Sequence, residues 1–211
     1  MAIKLTDELK KAVSDLPSKE KDKLIFRLLR RDYILANRLL FELVSDESTE
    51  ERREKVIHSL TEQIQFLPTR LPSSNGLYQR LRYMNGDITE HVKITKDKYG
   101  EVELNFLVLN KVLEKYNDAI EVEPKGKSYK FCVYVITKIF RIFILMRKLE
   151  TDLLADFKES MERLGKLIGE NESLIEMAIN NSFDVNWLIF GEVPDDIEAQ
   201  YKELRQNGFL K

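Results

Sequence analysis

"KFCVYVITKIFRIFILMRKL", residues 130–149, is the most apolar stretch of this chain, and its reading decides the fold. A membrane-spanning helix needs about 20 mostly apolar residues. Here the longest uncharged run, Phe131 to Thr137, ends at Lys138, and Arg141 follows three residues later. Each such charge near a bilayer centre costs about 2.5–3.5 kcal/mol, so a span is disfavoured and no membrane association is expected. At about 100° per residue, Lys127, Lys130, Tyr134, Lys138, Arg141 and Lys148 fall within one arc of roughly 80°. Phe131, Val135, Ile136, Ile139, Phe140, Ile142, Phe143, Met146 and Leu149 cover much of the remaining circumference. The pattern predicts a core helix with one narrow polar stripe.

That stripe continues in phase. Asp152, Asp156, Glu159, Arg163 and Lys166 share its face, while Leu153, Phe157, Met161, Leu164 and Ile168 stay opposite. Phase continuity favours one helix over 127–168, on the order of 60 Å long at the helical rise, against two helices with a break near Thr151.

Upstream, Tyr99, Val102, Phe106, Leu109, Leu113, Tyr116 and Ile120 recur at alternating spacings of three and four, a heptad seam for a helix packed on helices. The competing reading of "HVKITKDKYGEVELNF" (91–106) is a β-hairpin around a Gly-containing turn, but its alternation spans only a few residues on each side. Leu77, Leu81, Met84, Ile88 and Val92 form another helical face, with Ser73 or Ser74 as N-cap. Residues 74–168 therefore predict a central antiparallel bundle of long helices, joined by "KDKYG" (96–100) and "VEPKGKS" (122–128).

Residues 1–67 predict short leucine-rich helices, the last opening with Ser48 and Glu51 at capping-box spacing and burying Ile57, Leu60, Ile64 and Leu67. "LPTRLPSSNG" (67–76) is the linker candidate. Residues 169–211 predict short helices packed on the bundle through Trp187, Leu188, Ile189 and Phe190, with Gly208 as the final stop. The fold expected is all-α, in three regions: 1–67, 74–168 and 169–211.

With 33% charged and 43% hydrophobic residues and a net charge of −2, the chain is globular and has no global bias towards polyanions. Cys132 is the only cysteine, which excludes an intramolecular disulfide. The start, "MAIKLTDELKKAV", has no signal-like apolar run, and the expected location is cytoplasmic.

Catalytic and cofactor motifs do not assemble, and no cofactor is expected. His58 and His91 lie in different helices far from Cys132, which is not a metal-ligand spacing. "GKS" at 126–128 lacks the glycine five residues earlier that a phosphate loop needs, because Glu121 stands there. "GKLIG" (165–169) reads as a close helix crossing or a fraying helix end. Glu47/Glu50, Glu51/Glu54, Glu159/Glu162 and Glu192/Asp195 have the Glu-x-x-acid spacing used for magnesium by all-helical nucleotide pyrophosphohydrolases. Acids number 36 in 211 residues, so pairs at this spacing also arise by chance.

One excess is local. Between Pro124 and Leu149 there are seven Lys or Arg and no acid, and Lys127, Lys130, Tyr134, Lys138, Arg141 and Lys148 would form an anion-binding ridge about 30 Å long. Carboxylates of the preceding helix (Glu114, Asp118, Glu121 and Glu123) are the alternative use of that charge. The function expected is a non-enzymatic helical interaction or scaffold protein whose partner is a protein, with nucleic acid as the weaker choice. The rival is a magnesium-dependent pyrophosphohydrolase-type enzyme using Glu47, Glu50, Glu51 and Glu54.

Overall fold

The computed structural model describes residues 5–68 and 73–210. It is all-α: eleven α-helices and one 3-10 segment, with no strand among the described residues. The chain divides into two compact units, residues 1–47 with 93–95, and 48–92 with 96–211.

The first unit carries α1 (Asp7–Ser14), α2 (Ser18–Leu29) and α3 (Tyr33–Leu43). Thr6 caps α1 by accepting from Leu9 N at 3.3 Å, and Asp32 caps α3 by accepting from Leu35 N at 3.0 Å. No residue of these three helices is buried.

The second unit holds the core. Its α4 (Thr49–Gln65) opens with the expected capping box: Ser48 Oγ accepts from Glu51 N at 3.0 Å, and Glu51 returns an acceptor to Ser48 N at 2.8 Å. Helix α5 (Ser74–Thr95) is capped by Ser73, which accepts from Gly76 N at 3.1 Å. Of the linker expected at 67–76, residues 69–72 lie outside the described residues, and Ser74 to Gly76 form the first turn of α5.

Residues 98–121 form α6 (Lys98–Glu121), so the heptad seam prevails over the hairpin. Thirteen of its 24 residues are buried, which makes it the axis on which α4, α7, α8 and α9 pack. Lys115 Nζ ties it to the end of α4 by donating to Ile64 O, Gln65 O and Leu67 O at 2.9, 3.0 and 2.8 Å. Ser74 N, at the start of α5, donates to the Glu123 carboxylate just past the end of α6, while His91 near the end of α5 meets Asp97 at the start of α6. Both ends of the pair are thus joined, an arrangement consistent with an antiparallel bundle. The turns are shorter than expected. Tyr99–Gly100 already belong to α6, and Lys125–Ser128 form the first turn of α7 (Lys125–Met146) behind Pro124, whose fixed φ suits a helix entry.

The opening stretch is that core helix. Phe131, Val135, Ile136, Ile139, Phe140, Ile142 and Phe143 are each fully enclosed, and burying such a side chain contributes about 1.5–3 kcal/mol. One expectation is corrected: the helix does not run on to residue 168. It stops at Met146; Glu150 is extended, Thr151–Phe157 form the 3-10 segment, and α8 covers Lys158–Gly169. Angular phase counts residues and not hydrogen bonds, so it passed unbroken through a change of axis. Thr151 and Asp152, whose short polar side chains favour helix starts, mark the break.

Three asparagines align the next layer. Asn110 Nδ2 donates to Ser160 O at 3.0 Å and Asn117 Nδ2 to Leu167 O at 2.7 Å, so α6 and α8 run in one direction. Asn171 Nδ2 then donates to Asn117 O at 3.0 Å and its Oδ1 caps α9 (Glu172–Asn180). Helices α10 (Asn186–Phe190) and α11 (Ile197–Gln206) complete the unit. Trp187 packs edge-on to Phe183 at 5.4 Å, and Leu188 is buried against α8, whereas Phe190 is 61% exposed.

Candidate functional site

One concave site, about 510 Å³ in volume, is lined by α5, α7, α11 and Leu210. Helix α5 supplies Tyr78 and Arg82; α7 supplies Lys130, Val133, Tyr134, Thr137, Lys138 and Arg141; α11 supplies Arg205. Among the described residues, five cations and no carboxylate line it. Helix α7 can do this because its polar stripe recurs every three to four residues, and α5 lies alongside in the same direction, with Tyr78, Arg82 and Asn85 at i, i+4 and i+7.

The floor is aromatic and apolar. Tyr78 and Tyr134 meet edge to face, 5.4 Å between centroids and 72° between planes, and the Arg82 guanidinium lies 5.7 Å from the Tyr78 centroid. Burial pushes the Tyr134 phenol up to about 12; nearby Tyr78 adds to the rise, while Arg141 and Arg82 oppose it. Tyr134 is therefore a neutral phenol at neutral pH. The Thr137 hydroxyl is buried without a hydrogen-bond partner among the described residues.

Lys138 is half-buried, and its ammonium donates to Asn85 Oδ1 of α5. Burial pulls its pKa down to about 8, the Arg141 charge adding to the fall and Glu101 opposing it. Glu101, on α6 behind Lys138, is itself raised by burial against the pull of Lys138 and Lys148.

None of the five cations forms an ion pair within 4 Å among the described residues. Arg141 Nε donates to Tyr201 Oη at 3.3 Å, and Arg205 donates to Leu210 O, both neutral acceptors. Two basic residues at the ends of α7, outside the cleft, behave otherwise. Lys125 pairs with Glu172 at 3.3 Å and Glu176 at 2.5 Å, and Arg147 with Asp195 at 2.5 Å. Of the preceding helix's acids, Glu114 pairs with Arg163 and Glu123 accepts from Ser74, while Glu101 acts on Lys138 from behind without lining the cleft.

Of the six residues that sequence places on a ridge, Lys130, Tyr134, Lys138 and Arg141 come together in this cleft. Lys127 and Lys148 are exposed near the two ends of α7, outside its lining. Arg82, Arg205 and Tyr78 escaped the sequence reading because they sit on other helices.

Four of the paired acids are engaged elsewhere. Glu50 lies 3.8 Å from Arg53, Glu51 serves the capping box, Glu162 pairs with Lys166 at 2.7 Å, and Asp195 with Arg147. Among the described residues no three His, Cys, Asp or Glu converge as a metal site. Exposed His58 lies 3.5 Å from Glu62, and "GKS" is helical, with Ser128 Oγ donating to Lys125 O at 3.2 Å. No helix of the described residues is long and apolar enough to cross a membrane. No family model, curated protein or solved structure matches the chain.

Proposed function

We propose that the protein is a non-enzymatic helical interaction protein, and that the cleft of α5, α7 and α11 receives an anionic group of its partner. The observation that carries this reading is the set of five converging cations that form no ion pair within 4 Å among the described residues, in a chain of net charge −2. Holding a half-buried charge such as Lys138 away from water is unfavourable unless an opposite charge answers it, and an anion in the cleft supplies that answer. The partner is a protein presenting an acidic group. The lone buried Cys132 suits a reducing compartment such as the cytoplasm.

Titration with labelled poly-glutamate at low and moderate salt tests the reading. Binding that weakens as salt rises, and that is lost in the Arg82→Gln/Arg141→Gln variant, is the expected result. Absence of any salt-sensitive anion binding would overturn it.

A further inference from the structure

We propose that the anion this cleft is built for is a phosphomonoester carried on an aromatic or apolar group, rather than a carboxylate. The inference rests on the anion-binding reading above and goes beyond it by naming the ligand's chemistry.

Three properties of the site point the same way. The first is charge. A phosphomonoester carries about −1.5 to −2 at neutral pH with three strong acceptor oxygens, whereas a carboxylate carries one charge on two oxygens. Five cations with no ion pair within 4 Å among the described residues, and only Glu101 behind Lys138 as a nearby acid, exceed what one carboxylate would balance. The second is donor geometry. Arg82, Arg141 and Arg205 are guanidinium forks, the groups that engage phosphate oxygens two at a time, and Lys130 and Lys138 add point charges.

The third is the division of the lining. Val133, Leu210 and the rings of Tyr78 and Tyr134 make one part apolar, so an inorganic ion alone would leave that part wet. A volume of about 510 Å³ falls within the range of small-molecule sites, roughly 300–1,000 Å³, and is concave, as a site for a compact ligand should be. The Thr137 hydroxyl, which has no hydrogen-bond partner among the described residues, is a further donor on the same wall, whereas the Tyr134 phenol donates to Leu81 O at 3.5 Å.

Four probes test this by calorimetric titration of the full chain: phenyl phosphate, benzoate, inorganic phosphate and poly-glutamate. Benzoate keeps the ring and replaces the phosphate; inorganic phosphate keeps the anion and removes the ring. Phenyl phosphate should bind at least tenfold more tightly than either. The Arg82→Gln/Arg141→Gln variant, altered only at exposed side chains, should lose at least tenfold in affinity for phenyl phosphate at unchanged melting temperature. If poly-glutamate binds in a salt-sensitive way while phenyl phosphate is no better than benzoate, the phosphomonoester inference fails and the interaction reading stands. If no probe binds, both fail. Phenyl phosphate binding that the double variant leaves intact places the site elsewhere and also overturns the inference.

Discussion

His91 Nε2 lies 3.1 Å from Asp97 Oδ2, both side chains buried, so the end of α5 is bonded to the residue that caps α6. The same carboxylate accepts from Gly100 N at 2.7 Å and lies 3.5 Å from Arg53 Nε of α4. A Cβ on Gly100 would stand 2.0 Å from Asp97 Oδ2, so the cap requires glycine there. Three helices of the second unit are therefore registered on one carboxylate. Burial alone would raise the Asp97 carboxyl, but His91, the Gly100 N–H and Arg53 together hold it below its ordinary value.

A carboxyl whose folded value is depressed contributes stability above its unfolded pKa, about 3.9, and loses it as pH falls through the folded value. Asp97→Ala should cost about 3–4 kcal/mol in urea unfolding at neutral pH, because it leaves Arg53 enclosed without this partner. Asp97→Asn keeps a cap acceptor and should cost less. The gap between wild type and Asp97→Asn should narrow below about pH 4. An unchanged gap there would show that the Asp97 charge is not what this junction uses.

Gly165 of α8 faces α10 at close range: a Cβ would meet Ile189 Cγ1 at 2.9 Å, Leu188 Cβ at 3.1 Å and Ile189 N at 3.2 Å. Gly169, four residues on, has open space. Gly165→Ala should therefore destabilise by about 1–3 kcal/mol through overpacking. Gly169→Ala should be neutral or slightly stabilising, since alanine is the better helix former. Equal effects at both positions in thermal unfolding would contradict the close crossing.

The two glycines show how far sequence reading reaches. The spacing in "GKLIG" left a close crossing or a fraying helix end open; Gly165 makes the crossing and Gly169 is the last residue of α8, a division that spacing alone could not give. Helix faces, the Ser48–Glu51 box and a serine cap at 73 or 74 were legible because each depends on residues within one or two turns. Two things were not. The break after Met146 preserves angular phase, and the cleft assembles Arg82 and Arg205 from helices about 50 and 60 residues distant in sequence from α7's stripe, beyond any local pattern. Lys138 was read as an exposed ridge charge. Its half-burial comes from α5, whose Asn85 lies against it.

That burial has a measurable consequence. Lys138 has a folded pKa of about 8 against an ordinary 10.5, so below pH 8 the folded state bears a desolvated charge that the unfolded chain does not. Between those values the folded state releases its proton first, and stability rises with pH. The shift sets an upper limit of roughly 3 kcal/mol on this penalty. Lys138→Met should raise the melting temperature by a few degrees at pH 7, with the advantage fading as pH approaches 10. A variant less stable than wild type at pH 7 would mean that Asn85 and Glu101 more than offset the desolvation.

The cleft and the longer ridge of α7 make separable predictions about polyanion binding. Arg82, Lys130 and Arg141 are exposed residues of the cleft, while exposed Lys127 on α7 and Lys148 just past its end lie outside it. Exposed charges away from special features change stability by less than about 0.5 kcal/mol each, so Gln substitutions in either set should leave the fold intact. With single-stranded DNA as a generic polyanion, the Arg82→Gln/Lys130→Gln/Arg141→Gln variant should bind at least tenfold more weakly. Its log–log salt slope should be shallower by up to about 2, since each lost contact removes about 0.7. Lys127→Gln/Lys148→Gln should retain near wild-type affinity and slope. Fluorescence anisotropy across a salt series measures both quantities. Equal losses in the two variants would mean that the whole polar face of α7 attracts anions diffusely, and that the convergence of α5 and α11 on it has no part in binding.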